Sequence, residues 1–193
     1  MKKYFLILLL PLCIGATVIR IPFPGGAQVP AVIDSYSEAN QDNYSVMHST
    51  NKHGNAQCLT LASGKAITSV KAYLRLDGSP TGNAVVKIYA VTGTVGTDAY
   101  PTGAALATSG TLDVTTLTTS FVLYEFTFAS PYSAGAGDYA IALEYSGGSA
   151  GNAVWYGLDA SSPAHGGNLA QQDASDVWSA AGSFDGIFYL YGY

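Results

Sequence analysis

The stretch VKAYLRL, residues 70 to 76, puts Val70, Ala72, Leu74 and Leu76 on one side and Lys71, Tyr73 and Arg75 on the other. A period of two belongs to a strand with one buried and one wet face; a helix would need apolar residues every third or fourth position. The same alternation returns in AVVKIYAV, FVLYEFTF, DYAIALEYS, NAVWYGL and GIFYLYGY, with Gly, Pro, Asn and Ser clusters between these segments and no helical period anywhere after the N-terminus. A chain written this way folds as an all-β domain, and the expected architecture is a two-sheet antiparallel β-sandwich, jelly-roll-like, of eight or nine strands. A closed barrel is the alternative topology.

Local turn chemistry suggests how the strands connect. DGSPTGN at 77–83 predicts a hairpin over residues 68–91, and SGGSAG at 146–151 reads as a second hairpin connection. The strongly apolar FVLYEFTF predicts a strand near the middle of a sheet, with Val122, Tyr124, Phe126 and Phe128 on one face. In the last segment Ile187, Tyr189, Tyr191 and Tyr193 are expected to share a face, and ending on a strand ties the C-terminus into a sheet.

The N-terminus has a different character. Two lysines precede an apolar run from Tyr4 to Ile19, and a Pro/Gly-rich stretch follows. That run of 16 residues would span about 24 Å as a helix, short of a hydrocarbon core of about 30 Å. Residues 1–16 are read as a secretory signal peptide or a retained hydrophobic anchor, residues 17–31 as a tether, and 32–193 as the β-sandwich domain. The implied location is secreted, or at a cell or virion surface, with membrane contact only through the N-terminal segment if it stays uncleaved. Of the two cysteines, Cys13 falls in the apolar run and Cys58 alternates within AQCLTL, so no disulfide framework is expected and Cys58 reads as a small buried side chain.

Several chemistries are excluded by what is missing. A net charge of -5 with basic residues scattered singly lacks the footprint of a nucleic-acid binder. GGSAG at 147–151 has the G-x-S-x-G spacing but reads as a glycine-serine turn between strands rather than a nucleophile elbow, and there is no H-E-x-x-H and no C-x-x-C. His48 and His53 lie five apart in a polar loop, and SGGSAG lacks the lysine of a phosphate loop. Glu125 and Glu144 are the carboxylates that a glycosidase pair would need, but each falls on the solvent face of its strand. The chain does not read as an enzyme.

Aromatic residues are the remaining lead. The fourteen tyrosines mostly fall on alternating faces and read as core or sheet cover. Rings near loops are better candidates for ligand contact, which selects Trp155, Tyr156, His165 and Trp178, with Asp159, Asn168 and Asp176 as polar neighbours. Trp155 and Tyr156 are adjacent on a strand, so one of them faces the core.

The stretches DSYSEAN, SVKAYLRLDGSPTGNAVVKIYA, YPTGAALATSG, LTTSFVLYEFTF, DYAIALEYSGG and LDASSPAHGGN follow in an order that resembles the jelly-roll, carbohydrate-binding-module-like domains of secreted bacterial surface proteins and phage structural proteins. The likeness covers residues 32–193. It implies a structural Ca²⁺, for which Asp34, Glu38 and Asp42 are the candidate ligands, although their spacing matches no recognised calcium loop. The resulting expectation is a non-catalytic extracellular or surface-exposed binding or adhesion module, with glycans or a host or cell surface as partner. The alternative is a self-assembling structural subunit of a virion or surface assembly, anchored by a retained N-terminal arm. Intact mass of the native protein separates them: loss of about fifteen residues is expected for secretion, and retention of Met1 to Ala16 would exclude it.

Overall fold

A computed structural model describes residues 28–193 as two packed antiparallel sheets, each of seven strands. The expectations placed on residues 1–16 and on most of 17–31 fall outside the described residues. In chain order the strands are β1 (Ala31–Tyr36), β2 (Asn43–Met47), β3 (Gly54–Leu61), β4 (Lys65–Asp77), β5 (Asn83–Thr92), β6 (Tyr100–Thr108) and β7 (Leu112–Asp113). They continue as β8 (Val122–Ala134), β9 (Gly137–Glu144), β10 (Ala153–Asp159), β11 (Asn168–Gln172), β12 (Trp178–Ala181), β13 (Asp185–Gly186) and β14 (Phe188–Gly192). The sandwich class is as the alternation implied. The count of fourteen exceeds the expected eight or nine because short pieces such as β7 and β13, two residues each, pair within turn-rich sequence.

One sheet is built around β4 and has the path β1-β14-β4-β10-β13, with β8 also on β4 and β2 also on β10. The other runs β12-β11-β3-β9-β5-β6, with β7 on β5. Between them lies the core, in which Phe126, Phe188, Met47, Ile67, Leu74 and Leu190 are all under 2% exposed. Its inward positions are those the alternation picks out: Val70, Ala72 and Leu74 on β4, and Ile141 and Leu143 on β9.

The two expected hairpins are corrected. Strand β4 already pairs with β8 on one side and with β14 and β10 on the other, so no edge remains for β5. The segment 77–83 therefore carries the chain across to the opposite sheet, where β5 pairs with β9 and β6. Strand β9 is likewise held between β3 and β5, and SGGSAG crosses back to β10. The crossings pack against each other. A Cβ on Gly78, which has φ +65°, would lie 2.0 Å from the Gly151 carbonyl oxygen, and Ser79 N–H donates to Asn152 Oδ1 at 2.7 Å.

Two further expectations change. FVLYEFTF is an edge strand, not a central one: β8 pairs only with β4 among the described strands, and Val122 is 44% exposed while Phe126 and Phe128 point into the core. Its apolar outward residue Leu123 stands opposite Tyr73, which stacks on Phe121. In the last segment Phe188 and Leu190 are inward and Tyr189 and Tyr191 outward, yet Ile187 is also buried. The alternation breaks at Ile187 because its N–H donates to the Gly157 carbonyl and its own carbonyl accepts from Tyr73 N–H. The C-terminal strand lies between β1 and β4, as expected of a chain end tied into a sheet.

The outer face of the β9 sheet is covered as well. Ala56, Cys58, Ala140, Ala142 and Ala170 form a shallow basin of small residues, on which Tyr89, Ala99, Val91, Val95 and Trp178 pack. Cys58 is buried as expected, but on this outer face, with its thiol directed at the Ala99 carbonyl and its pKa pushed up to about 12 by burial.

The edge placement of β8 has a measurable consequence. Phe126→Ala is expected to cost about 3–5 kcal/mol in denaturant unfolding, whereas Val122→Ala on the same strand should stay within about 0.5 kcal/mol of wild type.

Candidate binding groove

Register places one row of residues straight across the outer face of the β9 sheet: Trp178 is paired with Gln172, Gln172 with Gly54, Gly54 with Glu144, and Glu144 with Val85. Lys87 and Tyr89 extend the outward face of β5, while its alternate residues Val86 and Ile88 enter the core. At the middle of the row Gly54 has no side chain, and the Trp178 ring occupies the space. A Cβ there would come within 2.7 Å of Trp178 Cη2. The result is an open groove of about 390 Å³ lined by residues that include His53, Asn83, Lys87, Tyr89, Glu144, Gln172 and Asp176.

Two ion pairs organise its walls. Glu144 accepts from Lys87 Nζ at 2.5 Å through Oε2 and from the Tyr89 hydroxyl at 2.6 Å through Oε1. Burial first, and then this hydrogen bond, raise the Tyr89 phenol above its ordinary range, so it stays a donor. Opposite, His53 Nδ1 meets Asp176 Oδ1 at 2.8 Å and its Nε2 meets the Ser49 carbonyl at 3.2 Å. Both ring nitrogens face acceptors, an arrangement that the doubly protonated imidazolium satisfies in full. Asp176 accordingly raises the His53 pKa above 6.5. Asp176 itself sits at φ +62°, the one non-glycine residue in the left-handed region among those described. The turn around it is tied by Asp173 Oδ1, which accepts from Ser175 and Val177 N–H. Trp178 follows directly, tilted against Tyr89 at a ring separation of 6.3 Å.

Of the seven residues that sequence singles out for ligand contact, Asp176 lines this groove and Trp178 packs beside it, against Tyr89 and over Gly54. The other five go elsewhere. Tyr156 is in the core at 4% exposure, and burial raises its phenol. Trp155 faces outward on the opposite sheet, as their adjacency required, but both faces of its ring are covered: Tyr44 stacks at 3.9 Å and the Arg75 guanidinium lies 3.7 Å away. Asn168 pins the 93–99 loop, accepting from Gly96 N–H and donating to the Ala99 carbonyl.

Asp159 and His165 belong to a polar network at one end of the sandwich. Asp159 accepts from the Tyr36 hydroxyl at 2.6 Å and from Ser161 and Ser162 N–H. His165 Nδ1 accepts from Gly167 N–H and from Gln57 Nε2, whose orientation is set by Gly186 N–H donating to Gln57 Oε1. The remaining proton is therefore on Nε2, facing Asp34 at 3.2 Å. With its lone pair taken by two N–H donors, His165 serves neither a nucleophile nor a metal in this arrangement. Asp185 receives His165 N–H and Gln57 Nε2, and burial raises its pKa against the pull of these donors.

The three candidate calcium ligands are separately engaged. Asp34 faces His165, Glu38 accepts from the Tyr189 hydroxyl at 2.6 Å, and Asp42 accepts from Ala160 and Ser161 N–H. Among the described residues no group of three or more His, Cys, Asp or Glu side chains is arranged to hold a metal ion. Glu144, Lys87, Tyr89 and His53, with Asn83, Ser146 and Gln172, are among the groove residues that the sequence did not mark for ligand contact. Lys87 and Tyr89 lie two apart on one strand face, but joining them to Glu144 requires knowing that β5 adjoins β9. No known protein-family model matches the chain, and no curated protein matches it.

The raised His53 pKa fixes a pH effect. Its folded-state value lies above 6.5, so the stabilisation is complete below pH 6.5 and is lost as pH rises through the higher folded value. An NMR titration should place the His53 midpoint above 6.5, and Asp176→Asn should bring it back towards 6.5 and flatten the decline in stability over that window.

Proposed function

We propose that this chain is a non-catalytic extracellular or surface-exposed binding module that holds glycans in the groove on the β9 sheet. The observation that carries the reading is the partly exposed Trp178 beside a groove whose polar groups arrive from neighbouring strands and turns. A sugar ring has apolar C–H faces and a rim of hydroxyls, so it needs a flat aromatic surface and several hydrogen-bonding groups fixed around it. Trp178, set against Tyr89, supplies the first; Lys87, Asp176, Asn83 and Gln172 supply the second. All of them are mounted on strands or on a turn tied down by side-chain hydrogen bonds, which limits the ordering cost of binding.

A glycan array with the wild-type protein tests this directly. Trp178→Ala is expected to weaken binding roughly tenfold or more, while Trp155→Ala, on the opposite sheet, leaves the hits unchanged. Absence of binding to every saccharide, or turnover of any of them, overturns the reading.

A further inference from the structure

We infer that the groove takes an electrically neutral, hydroxyl-rich saccharide and rejects both acidic and cationic sugars. This rests on the glycan reading and adds the class of ligand. Its basis is the way charge is distributed along the groove. Each cation that lines it already has a carboxylate: Lys87 pairs with Glu144, and His53 with Asp176. With His53 protonated these charges cancel, and the other lining residues, Asn83, Val85, Tyr89, Tyr145, Ser146 and Gln172, carry none.

The pairs are also hard to displace. Both oxygens of Glu144 are in use, one by Lys87 and one by Tyr89. Both nitrogens of His53 are in use, and the pair is held between the Ser49 carbonyl and the Asp173–Val177 turn. An acidic sugar that meets the remaining N–H donors of Lys87 sets its carboxylate beside that of Glu144, whose side chain is 15% exposed. A cationic sugar that meets the free Oδ2 of Asp176, whose side chain is 72% exposed, sets its charge beside the His53 imidazolium that already offsets this carboxylate. Separating either pair leaves a desolvated charge without its partner, which costs more than a new surface contact returns.

What the pairs leave free suits hydroxyl groups. Lys87 Nζ bonds Glu144 and keeps further N–H donors; Asp176 keeps Oδ2 as an acceptor; Asn83 adds an amide and Ser146 a hydroxyl. A sugar hydroxyl both donates and accepts, so it meets either kind of group without changing the charge of the site. The charged and titratable surroundings of His53 act together on this balance. Asp176 and Asp173 come from the β11–β12 turn, Lys52 precedes His53 in its own loop, and Glu144, Tyr145, Lys87 and Tyr89 line the same groove.

Calorimetry at about pH 6, where imidazole is protonated, distinguishes the classes with three sets of probes: neutral gluco-, manno- and galacto-oligosaccharides, oligogalacturonates, and deacetylated amino-sugar oligomers. The expected result is binding of a neutral probe, with both charged sets at least about tenfold weaker. Glu144→Gln releases Lys87 and is expected to gain oligogalacturonate affinity by roughly tenfold; Lys87→Gln releases Glu144 and should favour the amino-sugar oligomers instead. Circular dichroism of each variant establishes that it is folded. Wild-type preference for either charged set, or folded variants with no change in charge preference, overturns the neutral-ligand inference while leaving glycan binding intact. No binding by any probe defeats the glycan reading itself.

Discussion

Strand β4 has no free edge, and much of the molecule follows from that. Over residues 65–77 it is hydrogen-bonded to β8 along one side and to β14 and then β10 along the other. A strand paired on both sides cannot accept its successor in sequence, so the chain must leave the sheet after Asp77. The same condition holds for β9 between β3 and β5. Crossing rather than turning back brings β5 beside β9 and thereby sets Lys87 and Tyr89 next to Glu144. The groove is a product of this pairing order, and the close packing of Gly78 on Gly151 is where the two crossings are locked together.

The outer face of the β9 sheet shows a second constraint of size. Alanines and Cys58 at five positions leave room that larger side chains would fill, and both an aromatic pair and a seven-residue loop lie down in it. Asn168 then fixes that loop through its amide, using oxygen for Gly96 and nitrogen for Ala99. A polar residue chosen as a ligand contact is in fact a fastener, at 1% exposure. Burial makes such a role favourable only because every hydrogen bond of the amide is made locally.

Fold class was legible because alternation is a local property: Val70 to Leu76 and Tyr139 to Tyr145 reveal their buried faces within a few residues. Adjacency also determined correctly that Trp155 and Tyr156 part ways. Partnership between strands is not local, and the turn residues of DGSPTGN serve a crossing as well as they serve a hairpin. That is why residues 68–91 and SGGSAG misled. The surroundings of Asp159 and His165 were illegible for a related reason: what a polar loop residue meets depends on what lies across the sandwich, here Tyr36, Asp34 and Gln57, from strands more than a hundred residues away.

The position of β1 bears on how force passes through the domain. Ala31 is paired with Gly192 and Tyr36 with Phe188, so the chain enters at the end of the sheet where β14 finishes, and the two strands run in opposite directions. A pull on Ala31 along the axis of β1 loads the whole β1–β14 ladder in shear, with its hydrogen bonds bearing the stress together. A pull at right angles would open them one after another. Between these two geometries, the direction of the segment before Ala31 decides whether the sandwich resists traction as a clamp or yields as a zip.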